Sequence, residues 1–435
     1  MGKRMKSLDY PISNFSARYD CQPTEETNPE KVACIEAGNF YGFEELAIRK
    51  AWRLNKQRCS ILRQEEGTNM FEGFREAEIS KAKKTNLKKV SYLKGLHRFE
   101  TNTPSPHNVT QKIPGLLNLG NTCYMNSIMQ CLNCVVPIVK YFTEGTYHKD
   151  IYSLSKYGGT LAREVGAALK AMNNGNYSPI ALQDLKSAIG NLHFPFRGSR
   201  QHDSHEFLLF LLSWLHEDLR GGTMPVMQDT QDRLLQDVEN NESSVICSLF
   251  QGENRHRIIC NTCHYEPLSY EPFTIMSLSL PFSGGCTLAD LLQKTYMDSC
   301  IDYKCPRCKT QGKGTRKSDI RKLPPVLVLH LNRFDYNISA RKKQNYVDFP
   351  LENLSLVEHA TSTKRGSTQY NLCGVSNHYG SLNAGHYTSF CKTYDSKFWY
   401  RCDDQNITKL RTSVKTSAAY LLFYQSAHIN NLNLR

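Results

Sequence analysis

After residue 120 the apolar positions recur with helical spacing. Met125, Ile128, Met129 and Leu132 stand at i, i+3, i+4 and i+7, one face of an α-helix that opens near Cys123. The stretch before it, Gly115-Leu-Leu-Asn-Leu-Gly-Asn-Thr122, reads as a loop turning directly into that helix. Helical patterns continue to residue 220. They include a helix over Ser204–Leu219, opened by Asp203 as N-cap with Glu206 three residues on, the D-x-x-E arrangement of a capping box. From Ser243 the texture changes to short runs, many with β-branched or aromatic residues. Val245–Phe250, His256–Ile259, Pro325–Phe334, Gly385–Tyr394, Phe398–Asp403 and Ala419–Tyr424 read as strands. Helices first and strands afterwards predict an α+β architecture. Between the two textures Gly221–Glu242, with several Asp and Glu residues, reads as a surface loop.

Residues 1–110 read as a separate basic extension. Phe43, Leu46, Ala47 and Lys50-Ala-Trp52 suggest an amphipathic helix continuing to Leu62, a polar helix spans Phe71–Leu87, and Thr101–Pro106 is a linker. The plain reading is a loosely packed arm; a partner-binding helix is the alternative. No internal repeat is present.

Composition narrows the class. A chain of 435 residues, 40% of them hydrophobic, can bury a substantial core. No run approaches the ~18 apolar residues of a membrane-spanning helix, so no transmembrane segment is expected, with peripheral membrane contact left open. The start of the chain has no apolar core of a secretory signal, and Lys6 stands where an N-myristoylation motif needs Ser or Thr. The 16 cysteines then point to a reducing compartment, with thiols used as core residues, a nucleophile and metal ligands. A net charge of +13 asks for an acidic partner or a solvated basic surface. Basic clusters at Lys81, Lys83, Lys84, Lys88 and Lys89, at Lys309–Lys322 and at Arg341–Lys343 read as exposed loops or tips. No nucleic-acid-binding module accompanies them, and nucleic acid is not expected as a partner.

The candidate chemistry sits in three places. Cys123 lies at or just before a helix N-terminus, where free N–H groups and the helix dipole favour a thiolate. His386, in Asn383-Ala-Gly-His-Tyr-Thr-Ser389, is a candidate base on a strand, and the carboxylates Asp403 and Asp404 follow Trp399. A Cys, a His and an Asp far apart in sequence suit nucleophilic acyl transfer once a fold assembles them. His378 is the nearby histidine read as structural. The third place is a pair of C-x2-C knuckles, Cys260-Asn-Thr-Cys263 and Cys305-Pro-Arg-Cys308. Four thiolates close a tetrahedral structural zinc site. The knuckles lie about forty residues apart, wider than a zinc ribbon. Redox pairs are the alternative use, and Cys286 and Cys300 are candidate substitutes.

The segments around Cys123 and His386 resemble the Cys and His boxes of the ubiquitin-specific proteases, a family of cysteine deubiquitinases. Gln201-His-Asp-Ser-His-Glu-Phe207, Leu323–Phe334 and Phe349-Pro-Leu351 are similar to further family blocks, in family order. The likeness covers roughly residues 111–426. Within the family, Glu242–Gly252, Ser376–Gly380 and Ser417–Tyr424 most resemble the branch of the endosomal isopeptidase UBPY. The resemblance implies a papain-like fold with a helical thumb, a β palm and zinc-bearing β fingers. The catalytic domain is then 111–427, with fingers at about 245–320 and a tail at 428–435. It implies a nucleophile at Cys123, a base at His386, an orienting carboxylate at Asp403 and a helper at Asp404. Asn118, with the Cys123 N–H, becomes the oxyanion donor, and Asn121 competes with it but is equally a turn residue. Asp203, Glu206 and Tyr387 become ubiquitin contacts, the two acids facing ubiquitin's basic tail. Ubiquitin and ubiquitinated proteins are the implied partners, structural zinc the implied metal. The expected location is cytoplasmic, with endosome and nucleus kept open. Two other readings stand beside this one: a catalytically silent ubiquitin-binding scaffold and a zinc-dependent nucleic-acid binder.

Overall fold

The computed structural model describes residues 113–221, 243–335, 341–361, 368–381, 384–393 and 396–429. The helices expected near residues 43–62 and 71–87, the linker at 101–106, the loop at 222–242 and the end of the C-terminal tail lie outside them. All described residues belong to one compact unit, Ser105–Arg435.

The helical part comes first. The helix read from the apolar face at Met125 is α1, Cys123–Leu132, and every one of its residues is buried. Around it lie α2 (Val136–Thr143), α3 (Thr160–Met172), α4 (Gln183–Leu192) and α5 (Ser204–Asp218). Asp203 caps α5 as its spacing requires, accepting the N–H groups of His205 and Glu206. By contrast α3 begins after Gly159, which has no side chain to offer. Asp218, at the end of α5, supplies that cap instead, accepting from Leu161 and Ala162.

One expected strand is a helix. Val245–Phe250 forms α6, with the Ser244 side chain accepting the Cys247 N–H. So short and largely apolar a run has no period that separates a buried strand from a buried helix, and the serine cap decides it.

Beyond α6 the chain is mainly sheet. The strands β1 (Gly252–Cys260), β2 (Leu268–Phe273), β4 (Ser299–Lys304) and β5 (Gln311–Lys322) make an antiparallel sheet in the order β2-β1-β5-β4. The basic run at Lys309–Lys322, expected as a loop or tip, is mostly strand β5. Its charges are paired with neighbouring segments: Asp319 takes a bidentate Arg255 from β1 at 2.9 and 2.7 Å, and Lys317 meets Asp298 at 2.6 Å. Arg341–Lys342 is likewise a short strand paired with Phe334–Asp335. The charges hid these strands because both faces of the finger sheet are partly wet, so no apolar alternation marks them.

The larger sheet is built from β3 (Ile275–Ser279), β6 (Val326–Asn332), β7 (Gln369–Gly380), β8 (Gly385–Cys391), β9 (Tyr400–Asp403), β10 (Asn406–Lys409) and β11 (Ala419–Ser426). Their order is β10-β9-β8-β7-β11-β6-β3, with Leu354–Ser355 paired to β7. Neighbours are antiparallel except β3 and β6. The middle of this sheet is buried on both faces. On β6, Val326 and Val328 join the core shared with the helices, while Leu327, Leu329 and Leu331 face a second core with α7 (Leu288–Tyr296). A strand covered on both sides needs a continuous apolar run, which is why Pro325–Phe334 was legible. α1 therefore packs on a rigid, doubly covered sheet, and β8 and β9 carry His386 and Asp403 to its end.

Candidate active site

The loop before α1 is tied by its own side chains. Asn118 Oδ1 accepts the backbone N–H groups of Gly120 (3.1 Å) and Thr122 (3.0 Å), and Thr122 Oγ1 accepts that of Leu119 (2.8 Å). Gly120 and Asn121 turn the chain with φ of 91° and 58°. Asn121 donates its amide to the Ser199 carbonyl at 2.7 Å, as a turn residue tied to the next loop. Cys123 then opens α1 at only 4% exposure.

That burial reverses one expectation. Desolvation raises the Cys123 pKa above that of an ordinary cysteine; an N–H from Tyr387 lowers it, the Asp404 carboxylate raises it, and N–H groups at the helix start lower it. Burial wins. The direction is opposite to the one that helix placement alone suggested.

His386 follows Gly385, and that glycine is obligatory. A Cβ there would lie 2.1 Å from His378 Nε2 and 2.7 Å from the Tyr379 carbonyl oxygen. His386 Nε2 meets Asp403 Oδ1 at 2.7 Å, which leaves Nδ1 as the ring's other nitrogen. Asp403 Oδ2 accepts from Arg401 at 2.8 Å. Asp404, at φ 50°, turns its carboxylate the other way, accepting Asn126 on Oδ1 and Asn118 on Oδ2, both at 2.8 Å. Its carbonyl accepts the Leu116 N–H at 2.9 Å. A Cβ at Gly115 would sit 2.2 Å from the Gln405 carbonyl oxygen, so the loop and the β9–β10 turn are in close contact. Two adjacent aspartates are thus divided: Asp403 faces the imidazole, Asp404 the loop of the cysteine. His378 lies on β7 at 4% exposure, its pKa lowered to about 3 by burial, Lys342 and His386, packed among Phe334 and Tyr387.

Asn118 differs from its expected task. With two backbone donors on Oδ1, its NH2 must face Asp404, so one of the two N–H groups foreseen for an oxyanion is engaged. Asp203 is also more committed than a cap requires. Oδ1 takes the helix start, and Oδ2, expected to remain for a ligand, accepts the Tyr420 hydroxyl at 2.6 Å. Glu206 stands half-buried on the same first turn. Tyr387, expected as a ubiquitin contact, is 6% exposed and hydrogen-bonded to Ser204, an inward side chain rather than a docking surface. Sequence reasoning missed Asn126 and Arg401. Arg401 had a readable sign, since it stands two residues before Asp403 on one strand and shares its face.

The four knuckle cysteines converge. Cys260 and Cys308 sulfurs lie 3.9 Å apart, those of Cys263 and Cys305 3.6 Å, and all four fall within 4.8 Å of one another. A tetrahedron of Zn–S bonds near 2.3 Å has edges of about 3.8 Å, so the set fits zinc. Both knuckles share one construction. His264 (φ 55°) and Lys309 (φ 60°) follow the second cysteine and return their N–H to the Cys260 and Cys305 carbonyls, each at 2.9 Å. The Thr310 hydroxyl and N–H hold Cys308 down to about 6. Cys263, despite an N–H from Tyr265, is pushed up to about 11 by desolvation and the neighbouring sulfurs. That crowding of negative charge is what a cation relieves. Cys286 and Cys300 stand outside the group.

Known proteins resemble this chain. The family model for ubiquitin carboxyl-terminal hydrolase matches residues 114–424. Ubiquitin carboxyl-terminal hydrolase 2 of Homo sapiens is 32% identical over 73% of this chain, and the chain spans 56% of that protein. The same-named protein of Gallus gallus is 35% identical over 75% of this chain, covering 96% of that protein. Among solved structures, the SAGA Ubp8/Sgf11/Sus1/Sgf73 DUB module bound to ubiquitin aldehyde contains a chain with the same fold. Its TM-score is 0.59 at 24% identity, over 72% of this chain and 70% of that one. The papain-like reading of thumb, palm and four-cysteine fingers therefore holds, and the chain belongs to the ubiquitin carboxyl-terminal hydrolase family of thiol-dependent deubiquitinating enzymes.

Proposed function

We propose that this chain hydrolyses the isopeptide bond between the C-terminal glycine of ubiquitin and a lysine amine, through an acyl-enzyme on Cys123. The observation that carries the reading is the His386–Asp403 pair at 2.7 Å on strands packed against the helix that Cys123 opens. Cys123 attacks the glycine carbonyl as its proton passes to His386 Nδ1. Asp403 keeps Nε2–H oriented and offsets the charge of the imidazolium. His386 then gives that proton to the departing lysine amine, and later takes one from the water that releases ubiquitin. The Cys123 N–H and the remaining Asn118 N–H supply the oxyanion donors, and Asp404 holds Asn118 in place.

The catalytic domain spans 111–427, with fingers at 245–320 and residues 1–110 as an extension before it. Cys260, Cys263, Cys305 and Cys308 would hold one zinc, which supplies cross-linking of the finger tip and no chemistry at Cys123. Glu206 is the carboxylate we assign to ubiquitin's basic tail, Asp203 being largely spent on α5 and Tyr420. Ubiquitin as partner is supported by the family and by the ubiquitin aldehyde bound to the Ubp8 module. Cytoplasmic location, with endosomal association, and a closer kinship to UBPY complete the proposal; the latter rests on Ser376–Gly380 and Ser417–Tyr424. The test is a ubiquitin probe with a thiol-reactive C-terminus. One adduct mapped to Cys123 by mass spectrometry is expected. A folded chain that binds ubiquitin and forms no adduct would make it a silent scaffold instead.

A further inference from the structure

We infer that Arg401 is a positioning residue for the reaction proposed above, on which this inference rests: it locks the Asp403 carboxylate against His386. Asp403 is held at both oxygens, Oδ1 by His386 Nε2 at 2.7 Å and Oδ2 by the Arg401 guanidinium at 2.8 Å. The terminal torsion of an aspartate is broad, so one hydrogen bond leaves the carboxylate free to turn, and a second on the opposite oxygen stops it. β9 makes the arrangement possible. Arg401 and Asp403 stand two residues apart on one strand, on the same face, with Arg401 registered between Phe390 of β8 and Thr408 of β10.

Charge gives a second, independent reason. Asp403, Asp404 and His386 bring their polar atoms within 4.8 Å of one another. Two carboxylates this close repel each other. Asp404 is held by two neutral amides, so among the described residues Arg401 is the one cation paired with either acid. The groups around His386 include Asp403 at the end of β9, Asp404 in the β9–β10 turn and His378 on β7. Lys342 reaches the His378 carbonyl. His378 is kept neutral by burial, so the field at the imidazole is set by the two acids against Arg401 and Lys342. Removing Arg401 makes proton uptake by the thiol–imidazole–carboxylate unit easier, and the acid limb of activity must move to higher pH. At 46% side-chain exposure Arg401 contributes little to folding, so kinetics must carry the test.

Arg401→Gln and Arg401→Lys are compared with wild type on a fluorogenic ubiquitin substrate from pH 5 to 9. Arg401→Gln should lower kcat about 3–10-fold with KM nearly unchanged, the cost of a loosened catalytic geometry. A unit charge about 6 Å away in a water-like dielectric shifts the acid limb of kcat/KM by about half a pH unit, upward here. Arg401→Lys should restore the limb and only part of kcat, since a point charge cannot brace the carboxylate as the planar fork does. Melting temperatures should stay within about 2 °C. Wild-type kcat and limb in Arg401→Gln, in an enzyme that Asp403→Ala disables, would overturn this inference alone. A kcat loss that merely follows lost stability would overturn it too. Absence of turnover in wild type would overturn the proposed function as well.

Discussion

Asp218 is the residue whose replacement tests the helical part most sharply. It is fully buried at the end of α5. Oδ1 accepts the Ser155 hydroxyl (2.8 Å) and the Gly159 N–H (3.0 Å), and Oδ2 accepts the N–H groups of Leu161 (2.9 Å) and Ala162 (3.1 Å). It thus caps a helix 57 residues away in sequence that cannot cap itself. Asp218→Asn keeps the shape and removes the charge. The least harmful rotamer points the new NH2 at Ser155, whose hydroxyl can turn to accept, and leaves the Gly159 N–H only its longer bond to Ser155 Oγ at 3.3 Å. Losing the charge-assisted bond of that buried N–H costs about 1–3 kcal/mol, and two further charge-assisted bonds become neutral ones at a loss of about 1 kcal/mol each. The sum is about 3–5 kcal/mol, roughly 6–15 °C in Tm for a domain of this class. Thermal and urea unfolding of the full chain, followed by circular dichroism, measure it. Should Asp218→Asn fail to fold, Ser155→Ala removes the bond to Asp218 and the longer one from the Gly159 N–H, and should cost about 1–2 kcal/mol. An Asp218→Asn protein melting within 2 °C of wild type would refute the assignment of the cap.

Other outcomes follow from the site. Elemental analysis should find one zinc per chain, and Cys308→Ser should lose it along with finger structure, since structural zinc contributes about 10–16 kcal/mol; unchanged metal content would contradict the four-thiol site. The raised Cys123 pKa means less thiolate at pH 7 than an ordinary cysteine has, so iodoacetamide labelling of the free chain should be slow there and climb only in alkali. Rapid labelling with a plateau at pH 6 would show the thiolate to be the resting form. Asp403→Ala should lower kcat with little change in Tm, whereas Asp404→Ala, which frees Asn118 and Asn126, should lower both. Equal effects on both measures would mean that the two acids are not divided as their hydrogen bonds show.

The parts of the fold legible in sequence are those where burial leaves a period. α1 shows its apolar face at Met125, Ile128, Met129 and Leu132, and β6 shows an unbroken apolar run because both of its sides are covered. Finger strands such as β5 showed neither, since their faces are half wet and their pairing is carried by ions like Arg255–Asp319. Val245–Phe250 was misread because so short and largely apolar a run fits either element, and Ser244 was the overlooked cue. At the site, residue types and order located Cys123, His386 and the aspartates. What each side chain does to its neighbour was not legible. The Tyr420 hydroxyl on Asp203, the NH2 of Asn118 on Asp404 and the inward turn of Tyr387 all depend on contacts between segments far apart in sequence. The protonation of Cys123 likewise depends on burial, which a helix N-terminus does not reveal.

The finger sheet draws no member of either apolar core from β1 or β4 among the described residues. Its base is anchored by Phe273 and Ile320, while its tip holds four converging sulfurs. The sheet is therefore a separate unit of local stability. Removing the metal should let the amides of β4 and of the 311–316 half of β5 exchange with solvent through a low-energy opening. Those of β7 and β8 would exchange only with global unfolding. A tip held by sulfur instead of packing also loosens the demand on its remaining side chains. Substitutions at exposed positions of β4 and of the outer half of β5 should accumulate there with little effect on melting, so long as the four cysteines and the two left-handed residues behind them stay.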